Sequence, residues 1–167
     1  MAPDNTNDRH GHGHEHHWDD YARLEHLLNP EREAYFPRHA ILEALHLSEG
    51  MRVADVGAGS GYLMEAIALG VGHAGRVFAI DPAHAARRHL EERAAKNFPH
   101  VTVLDGRCES LPLEAGLLDR EIWLAVYHEL ENPAEAFSEA RRVLKPGGRL
   151  VVCDFDPEAE GEGPPHE

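Results

Sequence analysis

From residue 51 onward the chain alternates short apolar runs with longer segments whose apolar positions recur at helical spacing. Runs at 51–56, 76–81, 101–104, 118–126 and 149–155 read as strands. Each is short and nearly continuously apolar, which suits a strand buried on both faces. Between them, 60–69, 82–97 and 133–144 read as helices. Ala136, Phe137, Ala140, Val143 and Leu144 fall on one face of the last, which Asn132 caps and Pro133 opens. "KPGG" at 145–148 reads as the turn that stops it. Pro82 has the same first-position look. Upstream, 18–47 reads as a helical lead-in in which Asn29 and Pro30 start a helix, Pro37 breaks it, and Ile41, Leu42, Leu45 and Leu47 supply an apolar face. Strands alternating with helices predict an α/β fold: a Rossmann-like, doubly wound, mainly parallel sheet of about five strands in the order 3-2-1-4-5. Such sheets bind ligands at the carboxyl ends of their strands, where the strand order reverses.

The flanks differ in composition. Residues 1–17 are polar, with His10, His12, His14, His16 and His17 in a glycine-interspersed head, and 156–167 form an acidic tail rich in proline and glycine. Both are expected to be disordered, leaving one domain at 18–155. The head lacks the rigid frame that fixes metal geometry, so no metal site is assigned and metal handling stays a minor alternative. The polar start is no signal peptide, and no run nears the roughly 20 apolar residues that span a bilayer. Cys108 and Cys153 make no disulfide framework or metal spacing and read as free thiols. A soluble cytoplasmic protein is expected. The net charge of −14 argues against a nucleic-acid partner.

The chemistry is concentrated in "VADVGAGSGYL" at 53–63. Gly57, Gly59 and Gly61 follow a strand and precede a helix. The dinucleotide fingerprint needs its third glycine at 62, where Tyr62 stands. No lysine follows the loop, which excludes a P-loop. A ligand without phosphate needs only close backbone approach, which glycine permits. Asp81 ends the second strand, where a carboxylate accepts hydrogen bonds from both hydroxyls of a ribose. Together these point to an adenosine-bearing ligand without phosphates.

With "VFAID" at 77–81, "LPL" at 111–113, "LDREIWLAVYHEL" at 118–130, "EARRVLKPGGRLVVCDF" at 139–155 and the lead-in at 29–45, the chain resembles the class I S-adenosylmethionine-dependent methyltransferases over about 18–167. The resemblance implies S-adenosyl-L-methionine as cofactor and methyl transfer to a small-molecule acceptor. It implies that Gly57, Gly59 and Gly61 bring backbone to the cofactor's amino acid end. Asp55 would fix that loop and the ammonium, and Asp81 would hold the ribose. Tyr62 and Pro82 would line the pocket, and Leu124 would contact the cofactor through its backbone. Where many relatives carry an acidic residue for the adenine amine, this chain has Arg107. Backbone at Arg107 and Cys108, or the side chains of Asp105 or Glu109, would serve instead.

The resemblance implies a continuation past the fifth strand into a helix and an antiparallel strand pair; the expectation here is a chain without them, either a fragment or one whose exposed fifth-strand edge is covered by a partner, as in a homodimer. Methyl transfer is an in-line displacement in which orientation does most of the work. A base is needed only when the nucleophile carries a proton. His128, just past the fourth strand, is the candidate base, since an imidazole suits proton transfer near neutral pH. Glu129 would face solvent or orient His128. Tyr21, Tyr35 and Tyr127 read as packing. The alternative function is a non-catalytic or truncated S-adenosylmethionine-binding domain.

Overall fold

The computed structural model describes residues 28–156; the histidine-rich head, Tyr21 and most of the acidic tail lie outside them. The described chain runs α1 (Arg32–Tyr35), α2 (Arg38–Leu45), β1 (Arg52–Val56), α3 (Met64–Val71), β2 (Arg76–Ile80), α4 (His84–Asn97), β3 (Val101–Leu104), β4 (Leu118–Leu124), a 3-10 turn (Tyr127–Glu129), α5 (Pro133–Val143) and β5 (Leu144–Cys153). The strands form one sheet in the order β3-β2-β1-β4-β5. Every pairing is parallel, as the alternation of runs predicts. This is the expected Rossmann-like fold, and no antiparallel strand follows β5 among the described residues.

The sheet is covered on both sides. Ile41 and Leu45 of α2 and Ile67 and Val71 of α3 pack on Val53, Val77 and Ile122. Leu90 and Ala94 of α4 continue that layer onto Ala79. On the opposite face, Ala136, Ala140 and Val143 of α5 pack on Ala54, Val56 and Trp123. Residues 53–56 of β1 are buried in unbroken succession, the pattern of a central parallel strand.

Boundaries move where the backbone leaves the helical or extended region. The helix expected from residue 60 begins at Met64, because Gly61 sits at φ 74° and cannot be helical. The helix expected from Pro82 begins at His84, after the Asp81 carboxylate accepts the Ala83 N–H at 2.9 Å and holds the chain extended there. The lead-in is split at Pro37 as expected, but α1 starts at Arg32 rather than at Pro30. Asn29 Oδ1 accepts from Glu31 N at 3.1 Å, so it closes a turn before the helix. β4 ends at Leu124, since Ala125 adopts φ 55°. The largest difference is "KPGG". It lies inside β5 rather than ahead of it: Leu118 pairs with Leu144 and Arg120 with Arg149, so the extra residues bulge out of the ladder around Gly147 at φ 79°.

Candidate functional site

The order of the sheet reverses between β1 and β4, and the predicted residues collect at the carboxyl end of this switch point. After Val56 the chain turns back over β2, with Gly57 N and Ala58 N donating to Ile80 O at 2.8 and 3.1 Å. Gly57, Gly59 and Gly61 have φ of 71°, 52° and 74°, a left-handed geometry that only glycine adopts without strain. A Cβ at Gly57 would lie 2.4 Å from Val126 Cγ2, and one at Gly61 would lie 2.8 Å from Leu90 Cδ2. The glycines are therefore required twice, by dihedral angle and by packing.

Two carboxylates are buried beside this loop. Asp81 accepts Gly59 N at 2.8 Å on Oδ2 and Ala83 N on Oδ1, joining the loop to the end of β2. Burial raises its pKa, opposed by those two amides. Asp55, one residue from the end of β1, is 3% exposed. Burial pushes its carboxyl up to about 7, with Arg32 opposing and Asp81 adding to the shift.

The remaining sequence candidates are placed unevenly. Leu124 closes β4, 6% exposed, beside the switch point. Tyr62 is buried, but its hydroxyl is engaged by the lead-in, 2.7 Å from Glu33 Oε2 and 2.9 Å from Phe36 O. Its ring lies between the guanidiniums of Arg32 and Arg38, each 4.9 Å from the centroid. Pro82 is exposed. Arg107 is exposed too, and its N–H already donates to Ser110 O at 3.3 Å in a reciprocal turn. Cys108 is buried under that turn, and burial raises its thiol to about 12. Asp105 pairs with Arg87 at 3.2 Å. Cys108 and Cys153 are both unpaired.

His128 lies in the 3-10 turn that follows β4. Its Nδ1 is 2.7 Å from Asp154 Oδ1, and its own backbone N–H donates to Asp154 Oδ2 at 3.2 Å. The ring meets Phe155 edge-on at 5.9 Å, and Phe155 meets Phe36 of the lead-in at 4.9 Å. Tyr35 and Tyr127 are about half exposed, at 53% and 44%. Glu129 approaches His128 Nε2 at 3.6 Å.

Three residues that sequence reasoning missed belong here. The charge of Arg32 acts on the Asp55 carboxyl and opposes the rise in its pKa. Arg93 of α4 donates from Nη1 to the carbonyls of Ser60 and Gly61, and from Nη2 to Glu65 at 2.7 Å, so it clamps the far side of the loop. Asp154 meets both the ring and the backbone N–H of His128. The motif "NPER" and the charged α4 draw attention as helix signals, and only tertiary structure shows which arginine turns inward.

The methyltransferase-domain family matches residues 54–152. A crystal structure of an S-adenosylmethionine-dependent methyltransferase from Aquifex aeolicus superposes with a TM-score of 0.79 at 31% identity, over 87% of this chain and 78% of that one. A ubiquinone/menaquinone biosynthesis C-methyltransferase of Syntrophotalea carbinolica is 32% identical over 71% of this chain and 49% of its own length. A chloroplastic 2-methyl-6-phytyl-1,4-hydroquinone methyltransferase of Oryza sativa is 30% identical over 80% of this chain and 37% of its own. The chain thus spans less than half the length of these two curated relatives. With its glycine loop, its paired strand-end carboxylates and its sheet order, the chain belongs to the class I S-adenosylmethionine-dependent methyltransferase family.

Proposed function

We propose that the chain binds S-adenosyl-L-methionine at the β1–β2 end of the sheet and transfers its methyl group to a small-molecule acceptor. The observation that carries this reading is the pair of buried carboxylates. Asp55 and Asp81 are 3% and 7% exposed, and burial raises both pKa values. Burial dominates the shift at Asp55, and the charge of Arg32 offsets part of it. Such groups match a ligand that brings a cation and a diol, because each supplies what burial has removed. S-adenosylmethionine carries an ammonium for Asp55 and ribose hydroxyls for the spare lone pairs of Asp81. Arg32 is the partner for the ligand's carboxylate, and the glycine loop lets backbone lie against the same end. Leu124, the Arg107–Cys108 turn and Pro82 form the outer contacts.

When bound, the ligand supplies an electrophilic methyl on a sulfonium that is already a good leaving group. What the protein adds is alignment and, for an acceptor that carries a proton, a base at His128. The names of the two curated relatives make quinols the first acceptor class to assay. A cytoplasmic site of action fits this chemistry, and among the described residues no helix is long and apolar enough to cross a membrane. A homodimer across β5 would cover a strand that, among the described residues, pairs only with β4.

Calorimetric titration of the full chain with S-adenosylmethionine and S-adenosylhomocysteine tests this. Micromolar binding that Asp81→Ala loses supports the reading. A folded wild-type chain that binds neither overturns it. Binding without turnover of any acceptor would instead support the non-catalytic alternative.

A further inference from the structure

We propose that Asp154 is the positioning residue of a base dyad: it holds His128 as the Nδ1–H tautomer, so that Nε2 receives the acceptor's proton. The inference rests on the methyl-transfer reading above and names a class of acceptor for it.

The geometry is specific. Asp154 lies just past β5 and His128 just past β4, and the two meet because these strands are neighbours in the sheet. An ionised carboxylate only accepts, so the 2.7 Å contact between Nδ1 and Oδ1 requires the proton on Nδ1. Two further donors fix the carboxylate: Phe155 N to Oδ1 at 2.8 Å and His128 N to Oδ2 at 3.2 Å. The side chain of Asp154 is 12% exposed, whereas that of His128 is 38% exposed. The orienting group is thus sheltered and the ring remains accessible. Nε2 has Glu129 Oε1 at 3.6 Å, beyond hydrogen-bond reach. Phe155 against one side of the ring and Phe36 behind Phe155 limit its rotation.

A base held this way is of use only to a nucleophile that is protonated near neutral pH. The acceptor class is therefore a hydroxyl compound, phenols included, or a carbon acid activated by one; a thiol already ionised has no need of it. Nε2 takes the proton, and the electron pair of the broken O–H or C–H bond forms the new bond to the methyl carbon. The pair of the carbon–sulfur bond departs with sulfur as the neutral thioether. The proton then leaves Nε2 for water, while the Nδ1–H stays on Asp154.

The test reads the imidazole directly. Long-range proton–nitrogen spectra of the full chain, free and with S-adenosylhomocysteine, report which nitrogen of His128 is protonated, with His128→Gln assigning the signal. The expected result is the Nδ1–H form in the wild type and its loss in Asp154→Ala. A wild-type ring in the Nε2–H form, or a tautomer unmoved by Asp154→Ala, overturns the proposal. Should Asp154→Ala not fold, Asp154→Asn keeps the shape while presenting an N–H₂ to one of the three donors, and the wild-type spectrum decides alone in any case. In turnover, Asp154→Ala should lower kcat with a hydroquinone probe by about 10²- to 10⁴-fold and lower 2-mercaptoethanol methylation at alkaline pH, where the thiol is already ionised, far less. Equal losses with both probes overturn the base role. Failure of S-adenosylmethionine to bind would sink the methyl-transfer reading instead, and the spectra keep the two failures apart.

Discussion

The burial of Asp55 makes a quantitative prediction about how cofactor affinity depends on pH. The carboxyl is raised from an ordinary 3.8 to about 7 by burial, Arg32 offsetting only part of the cost. If the ligand's ammonium is its partner, binding selects the ionised form and pulls the pKa down. The sign follows: below about pH 7 the free protein must first lose a proton, so affinity falls as pH falls. With a free-state pKa of about 7, affinity at pH 6 should be about tenfold below its plateau, roughly 1.4 kcal/mol, with a limiting slope of one decade per unit. At pH 7 about half a proton should be released for each ligand bound.

Titration calorimetry with S-adenosylhomocysteine between pH 5.5 and 7 reads both quantities. Two buffers of different ionisation enthalpy give the proton count. The ligand's own amino group deprotonates at higher pH, so the rising limb is the informative one. Asp55→Asn should remove the limb centred near 7 and bind more weakly than wild type at pH 7.5. 5′-Methylthioadenosine lacks the amino acid end and should show no such limb, although Asp81, also raised by burial, stays in place. An S-adenosylhomocysteine affinity that holds within twofold over this range, with no buffer dependence, would refute the pairing of Asp55 with the ammonium.

Three further outcomes follow from the same structure. Glu121 is fully buried on β4, its Oε1 accepts from Trp123 Nε1 at 2.6 Å, and its Oε2 has no partner among the described residues. Burial raises it from 4.5 to about 7, so the folded state binds the extra proton and wild-type stability should fall by up to roughly 3 kcal/mol as pH rises from 4.5 to 7. Urea melts of Glu121→Gln should therefore gain on wild type by pH 8 relative to pH 5; a pH-independent difference would count against a buried ionisation. Gly57→Ala places a Cβ 2.4 Å from Val126 Cγ2 at φ 71° and should cost about 1–2 kcal/mol from the dihedral alone. Adding Val126→Ala should recover the clash but not the dihedral, and full recovery in thermal melts would show the backbone to be unstrained. Arg93→Met removes the charged clamp on the Ser60 and Gly61 carbonyls and should weaken S-adenosylhomocysteine binding by about tenfold or more. Unchanged affinity would mean that the loop holds its shape without the clamp.

What the sequence makes legible here is what is local. The strands show because each is buried on both faces and reads as an apolar run, and the expected order is that of the Rossmann-like layout which alternating strands and helices point to. The glycines at 57, 59 and 61 show because their spacing departs from the dinucleotide pattern in a way that bears on the ligand. Helix α3 starts late for the same reason: the helical periodicity of residues 60–69 is real, but Gly61 at φ 74° delays it. The "KPGG" stretch has turn chemistry, and β5 absorbs it as a bulge because flanking residues on both sides still pair with β4. The pairings that define the chemistry are not local. Asp154 is 26 residues from His128, and Arg93 is 32 residues from Gly61. Nothing in the composition of α4 marks Arg93 apart from Arg87 and Arg88, since its role depends on which side of the helix meets the turned-back loop. His128 can be suspected from its place after β4, but whether it is a base depends on the acceptor at Nδ1, and that acceptor is fixed by which strand lies next to β4. The residue type is thus written in one segment and its chemical state in another: the expected order already sets β5 beside β4, but only the folded loops show that Asp154 is the residue that reaches His128 Nδ1.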